Sequence, residues 1–260
     1  MDYIDTHCHL NFPQFRRDME KTILRSTHSD LIFLINIGTD FATSQESINL
    51  ASRFNEIYAS VGVHPHDARS SVDEIESRLP KLIKSDKVVA VGEIGLDYYR
   101  NLSKQDVQKE AFIKQLHLAK EHNLPIILHC RDAYRDLLNI LDEHYLPLDG
   151  NGSPGVIHSF SSGPAYLQEF LRRGFYIGFN GMITYPGNAN LQAAVENTPL
   201  DKILIETDAP YLPPQSHRGE RNEPAFVKEV VEKIAEIKNI PIEEVAKKTT
   251  ANAIKLFGLK

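Results

Sequence analysis

Short apolar runs alternate with longer amphipathic stretches along the chain, and this alternation limits its possible folds more than any other feature. Residues 31–35 and 88–91 are apolar at every position, as parallel strands covered by helices on both faces require. The pattern predicts eight strands, at residues 3–6, 31–37, 57–63, 88–94, 125–129, 155–160, 175–179 and 203–207. Stretches long enough to be helical crossovers separate them, as parallel neighbours demand.

The clearest predicted helix covers residues 103–122, where Ser103 and Asp106 resemble a capping box and Val107, Ala111 and Leu118 fall on one face. Two more helices, 225–238 and 242–257, follow the eighth strand. Eight strand–helix units in 260 residues predict a (β/α)8 TIM barrel that forms a single domain over residues 1–260. A doubly wound open sheet is the alternative, but no glycine-rich phosphate loop follows the first strand.

Composition narrows the class of protein further. An apolar content of 42% is high enough for a real core, which excludes a disordered chain. The net charge of −6 argues against a protein that coats nucleic acid by charge alone. With two cysteines, no membrane-length apolar run and no basic leader, we expect a cytoplasmic protein that has no disulfide framework and does not enter a membrane.

Unusual polar residues follow the predicted strands at the ends where a barrel carries its active site. They are four histidines and two acids, from strands one, four, five, six and eight: His7, His9, Glu93, His129, His158 and Asp208. Each alone has an ordinary explanation, such as a hydrogen-bonded core histidine or a helix cap. Six of them at equivalent places predict a metal centre, and the His-x-His pair of the first strand is a natural chelate.

Six ligands are too many for one catalytic zinc, which takes about three protein ligands and a water. They suit two divalent ions that share a carboxylate. We expect His7, His9 and Asp208 to hold one ion and His129 and His158 the other, with Glu93 as the bridge. Mixed nitrogen and oxygen ligands accept Zn, Mn, Ni or Co, and Mg less readily.

Cationic side chains near the same ends would hold an anionic substrate, and His64 and Arg131 are the best placed. Arg218 and Arg221, on the loop after the eighth strand, are weaker candidates that differ little from ordinary surface ion pairs. Two acids are candidates for supporting roles. Asp5, two residues before His7, would orient that ligand, and Glu206 lies two residues before Asp208. Tyr98 or Tyr211 would stack a base, although ordinary packing at the rim is the favoured interpretation.

Seven segments resemble the signatures of the TatD family of metal-dependent deoxyribonucleases, in the right order along the chain. They are 5–10 (DTHCHL), 62–66 (GVHPH), 92–98 (GEIGLDY), 129–131 (HCR), 158–161 (HSFS), 206–212 (ETDAPYL) and 218–224 (RGERNEP). One departure is Ser162, which stands before Gly163 where many members have glycine directly after the Phe-Ser or Phe-Thr pair.

This resemblance implies a (β/α)8 barrel whose metal ligands are the six residues named above. It also implies nuclease activity, often as a 3′-to-5′ exonuclease on single strands, so DNA, chiefly single-stranded, is the expected partner, with no obligatory protein partner evident. Two divalent ions would activate a water that attacks phosphorus, with Glu93 and Asp208 as catalytic groups and Asp208 as the general base.

Other activities stay open on the same scaffold. One alternative is an amidohydrolase-type enzyme that acts on a small molecule or on the ester bond of an aminoacyl-tRNA. Two-metal amidohydrolases often use a carboxylated lysine at strand four, where this chain has Glu93, so the phosphodiesterase interpretation is favoured. A catalytically dead barrel that acts as a scaffold is the other alternative, and the complete ligand set speaks against it.

Overall fold

The structure, a computed structural model, describes residues 1–146 and 154–260. The strands are β1 Tyr3–Cys8, β2 Leu31–Ile37, β3 Ile57–Val61, β4 Val88–Asp97, β5 Ile126–Arg131, β6 Gly155–Ile157, β7 Tyr176–Phe179 and β8 Ile203–Ile205. The α-helices are α1 Met19–His28, α2 Phe41–Arg53, α3 Ala68–Ser71, α4 Ile75–Ile83, α5 Gln105–Glu121, α6 Tyr134–His144, α7 Pro164–Arg172, α8 Ala189–Asn197, α9 Val227–Lys238 and α10 Ile242–Phe257. Among the described helices, none has both the length and the apolar composition needed to cross a membrane.

The strands form one eight-stranded sheet whose order follows the chain, from β1 to β8, and helices alternate with strands along the sequence. The pairs β4–β5 and β7–β8, for example, are parallel. The predicted fold class, a (β/α)8 barrel, is therefore confirmed. In this fold the chemistry takes place at the carboxyl ends of the strands, which is where the candidate ligands lie in the sequence.

Two compact units make up the chain. The first unit contains Met1–Asn36 and Ser159–Lys260, and the second unit contains Ile37–His158. The first unit therefore joins the two ends of the chain, while the second is continuous in sequence. The single domain expected over residues 1–260 stays a prediction.

In the first unit, β1 pairs with β2 and β7 pairs with β8. Cys8, the last residue of β1, also forms an isolated parallel bridge with Ala209, which lies beyond β8. Helix α10 packs on β1 and on β8. Every residue of β1 is buried, including Asp5 and His7, so these polar side chains need partners inside the protein.

In the second unit, β3, β4, β5 and β6 pair in that order. Helices α2 and α4 pack on β3, and α5 packs on β4. The strands approach closely beside the predicted ligand Glu93, because a Cβ added at Gly95 would lie 2.0 Å from the carbonyl oxygen of His129. Gly95 has a φ of 138°, so both the space and the backbone conformation there require glycine.

Some strands end later than predicted and others end earlier. β4 continues to Asp97, while β3, β6 and β8 end two or three residues early. His158 and Asp208 therefore lie in loops directly after their strands. The backbone leaves the extended conformation fully at Ser159, with a φ of 47°, and at Asp208, with a φ of 59°, so neither strand continues through these residues.

The predicted capping box at the start of α5 is wrong. The helix begins at Gln105, and Lys104, the residue before it, makes no capping hydrogen bond through its side chain. The Ser103 hydroxyl instead donates to the carbonyl oxygen of His66 at 2.9 Å and accepts from the backbone N–H of Arg69 at 3.0 Å. These partners lie more than thirty residues earlier, so the local pattern carried no sign of them.

Candidate metal centre

One group of candidate ligands lies in the first unit and consists of His7, His9 and Asp208. The Nε2 atoms of the two histidines are 3.3 Å apart. They lie 3.7 Å (His7) and 3.4 Å (His9) from Oδ1 of Asp208. One ligand atom from each side chain thus converges on a small volume, with all three within 4.8 Å of one another. We call these residues the first ligand group.

Main-chain hydrogen bonds hold this group in place. The N–H of Asp208 donates to the carbonyl oxygen of His7, and the N–H of His9 donates to that of Ala209, each at 2.8 Å. The loop after β8 is therefore tied to the end of β1 on both sides of the ligands, so the ligand side chains start from a fixed backbone.

The buried Asp5 carboxylate adds to this arrangement. It accepts hydrogen bonds from the N–H of His7 at 3.2 Å, the N–H of Thr207 at 3.0 Å and the Thr207 hydroxyl at 2.6 Å. Burial raises the pKa of the Asp5 carboxyl to about 8, although these hydrogen bonds oppose the rise. Asp5 thus contacts the backbone of His7, and the proposed orienting role would act through the main chain.

A second group lies in the second unit, around the Oε1 atom of Glu93. His129 Nδ1 is 2.9 Å from that oxygen, His158 Nε2 is 3.1 Å away, and His64 Nε2 is 3.5 Å away. The structure therefore brings the predicted ligands Glu93, His129 and His158 together. It adds His64, which the sequence suggested only as a substrate contact. We call these four residues the second ligand group.

Burial and charge set the protonation of the second group. Burial alone would raise the pKa of Glu93, but the imidazoles of His158, His64 and His129 hold it well below its ordinary value. Burial also lowers the pKa of His64 to about 4, despite the opposing attraction of Glu93. At neutral pH the group thus offers a carboxylate and a neutral His64 ring, the forms that bind metal.

Asp97 links the second group to another histidine. Its Oδ2 atom lies 3.0 Å from His129 Nε2 and 3.0 Å from His66 Nε2, and its Oδ1 atom accepts from the N–H of Arg100 at 2.7 Å. Burial lowers the pKa of His129, but hydrogen bonds to Asp97 and Glu93 outweigh it and raise the pKa above its ordinary value. With a metal ion at Nδ1, the proton that faces Glu93 would be displaced and Nε2 would be left donating to Asp97. A carboxylate in this position fixes the tautomer and the ring orientation of a metal-binding histidine. The sequence analysis missed this role, although Asp97 stands in the same motif as Glu93.

Two buried glutamines of α5 support the loops that carry the second group. Gln115 accepts from the N–H of Val63 at 2.7 Å and donates to its carbonyl oxygen at 3.0 Å, directly before His64. Gln108 accepts from the N–H of Asp97 at 2.8 Å and donates to its carbonyl oxygen at 3.0 Å. Neither glutamine is among the site residues predicted from the sequence. The sequence pattern that could have indicated them is a pair of glutamines seven residues apart on the apolar face of a helix.

Glu206 also contacts the backbone next to a ligand. Its buried Oε1 atom accepts from the N–H of Ser159, the residue after His158, at 2.6 Å. The carboxylate packs against bare backbone, because a Cβ added at Gly178 would lie 2.4 Å from Oε2. This contact agrees with the supporting role expected for Glu206, which stays a prediction.

The arginine candidates are placed differently from one another. The guanidinium of Arg131 lies 3.8 Å from the ring centre of Tyr99, and that of Arg218 lies 4.5 Å from the ring centre of Tyr185. Both are exposed, and a guanidinium stacked on a ring still presents edge N–H groups to an anion. Arg221 instead pairs with Asp18 at 2.8 Å and with Glu223 at 2.7 Å, as the ordinary ion-pair interpretation expects.

The donor atoms of both ligand groups fit divalent metal ions. Each group combines imidazole nitrogen with carboxylate oxygen, the mixture that zinc, manganese, nickel and cobalt accept. The geometry thus supports a metal centre of two or more histidines and a carboxylate in each unit.

Comparison with known proteins agrees with this chemistry. The profile of a family described as TatD related DNase matches residues 4–258. An uncharacterized metal-dependent hydrolase, YabD of Bacillus subtilis, is 40% identical over 98% of this chain and 98% of its own length. A protein named 3′-5′ ssDNA/RNA exonuclease TatD, from Erwinia amylovora, is 36% identical over 98% of this chain and 99% of its own length.

A solved structure is similar over the same length. The crystal structure of YjjV, a TatD homologue from Escherichia coli K12, superposes with a TM-score of 0.91 and is 32% identical in sequence. It covers 99% of this chain, which covers 98% of the crystallised one. The likeness therefore extends over both compact units and includes every strand that carries a candidate ligand.

Proposed function

The chain belongs to the family of TatD-related DNases and is a metal-dependent hydrolase, and we propose that it hydrolyses phosphodiester bonds of single-stranded nucleic acid, DNA in particular. We further propose that it removes nucleotides stepwise from the 3′ end. The observation that carries the proposal is the convergence of His7, His9 and Asp208, whose donor atoms lie within 4.8 Å of one another at the end of β1 and beyond β8. A relative named as a 3′-5′ exonuclease on single-stranded DNA and RNA supports the polarity.

In this proposal each ligand group holds one divalent ion. His7, His9 and Asp208 would be the ligands in the first group. In the second group they would be Glu93, His129 and His158, with His64 at 3.5 Å from the same Glu93 oxygen. Bound ions would polarise the phosphate oxygens and lower the pKa of a water to about 7. The bridging role of Glu93 and the identity of the native metal stay predictions.

The side chains of the protein would carry out the remaining steps. Asp208 is the residue proposed to accept the proton of the attacking water, because its carboxylate is partly exposed, at 14%, while both neighbouring histidines are almost fully buried. Arg131 and Arg218, exposed and stacked on tyrosine rings, would hold non-bridging phosphate oxygens through their edge N–H groups. His64 would donate a hydrogen bond to substrate only when it is not engaged by Glu93 or metal.

The acidic net charge of −6 supports a narrow contact with the substrate. A chain with 29 basic and 35 acidic residues has little long-range attraction for a polyanion. Two divalent ions would add four positive charges at the site itself. We therefore propose that the protein binds a few nucleotides at the metal centre and that its affinity for DNA depends on metal.

The amidohydrolase-type alternative has weaker support. In the two-metal enzymes of that kind, the position at strand four is often a carboxylated lysine, whereas this chain places Glu93 there among three histidines. No observation in the described residues favours a small-molecule substrate over a phosphodiester. Hydrolysis of an aminoacyl-tRNA ester is tested by the same assay, with charged transfer RNA as a competing substrate.

The test uses purified protein, a metal series and single strands labelled at the 5′ end. We expect stepwise shortening from the 3′ end that stops in a chelator and returns when zinc, manganese, nickel or cobalt is added. Internal fragments without a ladder would contradict the exonuclease polarity. Hydrolysis that persists in the chelator would contradict the metal mechanism, and deacylation of transfer RNA without cleavage of any strand would favour the alternative.

A further inference from the structure

A row of aromatic rings leads from the first ligand group to the protein surface. The ring of Phe12 stacks on that of the ligand His9, with centroids 4.5 Å apart and planes 15° apart. Tyr211 meets Phe12 edge to face, with centroids 6.2 Å apart and planes 72° apart. The row ends in solvent, because Tyr211 is 47% exposed. It lies wholly in the first unit.

The exposed tyrosine has a fixed backbone. The N–H of Tyr211 donates to the carbonyl oxygen of Asp208 at 2.8 Å. The carbonyl oxygen of Tyr211 accepts from the side-chain amide of Asn222 at 2.6 Å, and that amide also donates to the carbonyl oxygen of Thr207 at 2.8 Å. Asn222 is fully buried. Tyr211 is thus an exposed aromatic ring that the fold places at a constant position relative to a candidate ligand.

We infer that Phe12 and Tyr211 form a stacking shelf for the base of the nucleotide that is cleaved off. The inference rests on the proposed nuclease function and names a subsite for it. A base has a flat, uncharged face that stacks on aromatic rings whatever its identity, so the shelf would hold any base. Because the shelf begins at the ring of His9, a base stacked there keeps its phosphate close to the first ligand group.

Other tyrosines near the strand ends are engaged differently. The hydroxyl of Tyr98 donates to Asp136 at 2.8 Å, which holds that side chain against α6. The guanidinium of Arg131 stacks on the ring of Tyr99, with its central carbon 3.8 Å from the ring centre. Tyr211 is therefore the better of the two stacking candidates taken from the sequence, and Phe12, which the sequence analysis did not consider, joins it to a ligand.

The test compares two single strands of DNA that differ only in the base of the 3′-terminal nucleotide. One ends in an ordinary 3′ nucleotide, and the other ends in an abasic sugar with the same phosphate. For the wild-type protein we expect KM to be about tenfold lower for the ordinary strand. Tyr211→Ala should raise KM for the ordinary strand to that of the abasic strand and leave the abasic KM unchanged, whereas Tyr211→Phe, which keeps the ring, should behave as wild type.

Equal KM values for both strands in the wild type, or equal effects of Tyr211→Ala on both, would overturn the shelf. Leu24→Ala, which truncates an exposed side chain on α1 (55% exposed), is the control for loss of apolar surface. It should change neither KM. A Tyr211→Ala protein that binds no metal would show that its effect is structural, and this too would count against the shelf.

A second measurement keeps the shelf separate from the proposed function. A strand with 2-aminopurine at its 3′ end and a methylphosphonate as its last linkage resists hydrolysis, and stacking quenches its fluorescence. We expect quenching by the metal-loaded wild type and by Tyr211→Phe, but not by Tyr211→Ala. Quenching without cleavage of any strand would reject the nuclease and keep the shelf. Cleavage without quenching would reject the shelf alone.

Discussion

The two ligand groups are built from the same residue types but are held in different ways. In the first group, main-chain hydrogen bonds from Asp208 to His7 and from His9 to Ala209 tie the ligand segments together, and the Asp5 carboxylate accepts from the N–H of His7. In the second group, side chains hold other side chains, since Asp97 contacts His129 and three imidazoles surround one oxygen of Glu93. These hydrogen bonds of the first group thus act on the backbone of its ligands, whereas those of the second group reach the ligand side chains.

This difference teaches where single substitutions act. In the first group these hydrogen bonds hold the backbone of the ligands, through Asp208, Ala209 and the Asp5 carboxylate, and none of them involves a ligand ring. A ligand oriented by a carboxylate loses its tautomer when that carboxylate is removed. We therefore expect the second group to be sensitive at positions that are not themselves ligands, and the first group to be sensitive chiefly at the ligands.

Removal of a carboxylate ligand should have the largest effect on activity, and the loss should be the same whichever group loses its carboxylate. We expect Glu93→Ala and Asp208→Asn each to reduce metal-dependent hydrolysis to the background seen in a chelator, because each takes the anionic donor from one group. Activity on labelled single strands and metal content by elemental analysis are the measurements. The control is His117→Ala, which removes a surface imidazole outside both groups. Full activity in either carboxylate variant would contradict the ligand assignment.

Asp97→Asn should separate the two groups. It replaces the carboxylate that lies 3.0 Å from His129 Nε2, so we expect the affinity of the second group for zinc to fall about 10- to 100-fold. The affinity of the first group should not change. Titration with zinc against a chromophoric chelator resolves two sites of different affinity. Equal weakening of both sites would show that Asp97 acts on the fold as a whole.

Gln115→Leu should test whether the side chain that holds the loop before His64 also stabilises the folded protein. The substitution leaves the N–H and carbonyl oxygen of Val63 without the side-chain partner they have at 2.7 and 3.0 Å. We expect the free energy of unfolding to fall by about 2 kcal/mol, because unpaired buried polar groups cost about 1–3 kcal/mol each. Urea denaturation measures it. Gln45→Leu, on the exposed side of α2, is the matched control and should change stability by less than about 0.5 kcal/mol.

Arg221→Ala should have the smallest effect, because it removes two partly exposed ion pairs of the first unit, with Asp18 at 2.8 Å and with Glu223 at 2.7 Å. The hydrogen bond from Arg221 lowers the pKa of Asp18 to about 2. Asp18 has an ordinary pKa of about 3.9 in the unfolded chain, so the pair stabilises the fold above pH 4 and this contribution is lost as the pH falls toward 2. We expect a loss of about 1 kcal/mol at pH 7 and a smaller one at pH 3, measured by urea denaturation. A larger loss at pH 3 would contradict this assignment.

The sequence predicted the barrel and the six ligand positions for the same physical reason. Buried parallel strands are apolar throughout, so a histidine or an acid directly after such a run stands out, as His129 and His158 do. The strand ends were less predictable, since β6 and β8 end two and three residues before Ser159 and Asp208, which have positive φ values, and nothing in the residue types required this.

The parts that escaped prediction are contacts between residues far apart in sequence. Gln115 bonds the backbone of Val63, 52 residues earlier, and Ser103 bonds His66 instead of capping α5. Nothing in the sequence around Phe12 distinguishes it from an ordinary loop residue. Its stacking on the ring of His9 is what suggests a role. Local patterns describe what a residue prefers, while these partners depend on which surfaces the fold brings together.

The first unit combines Met1–Asn36 with Ser159–Lys260, and this has a consequence for protein synthesis. As the chain grows from its amino terminus, all four residues of the second group have been made once His158 is added. His7 and His9 are made before the second group, yet they wait for Asp208, some two hundred residues later, to complete their group. A ribosome-bound chain that stops short of Asp208 therefore carries two histidines without their carboxylate, and the first ligand group is complete only after the whole second group has been made.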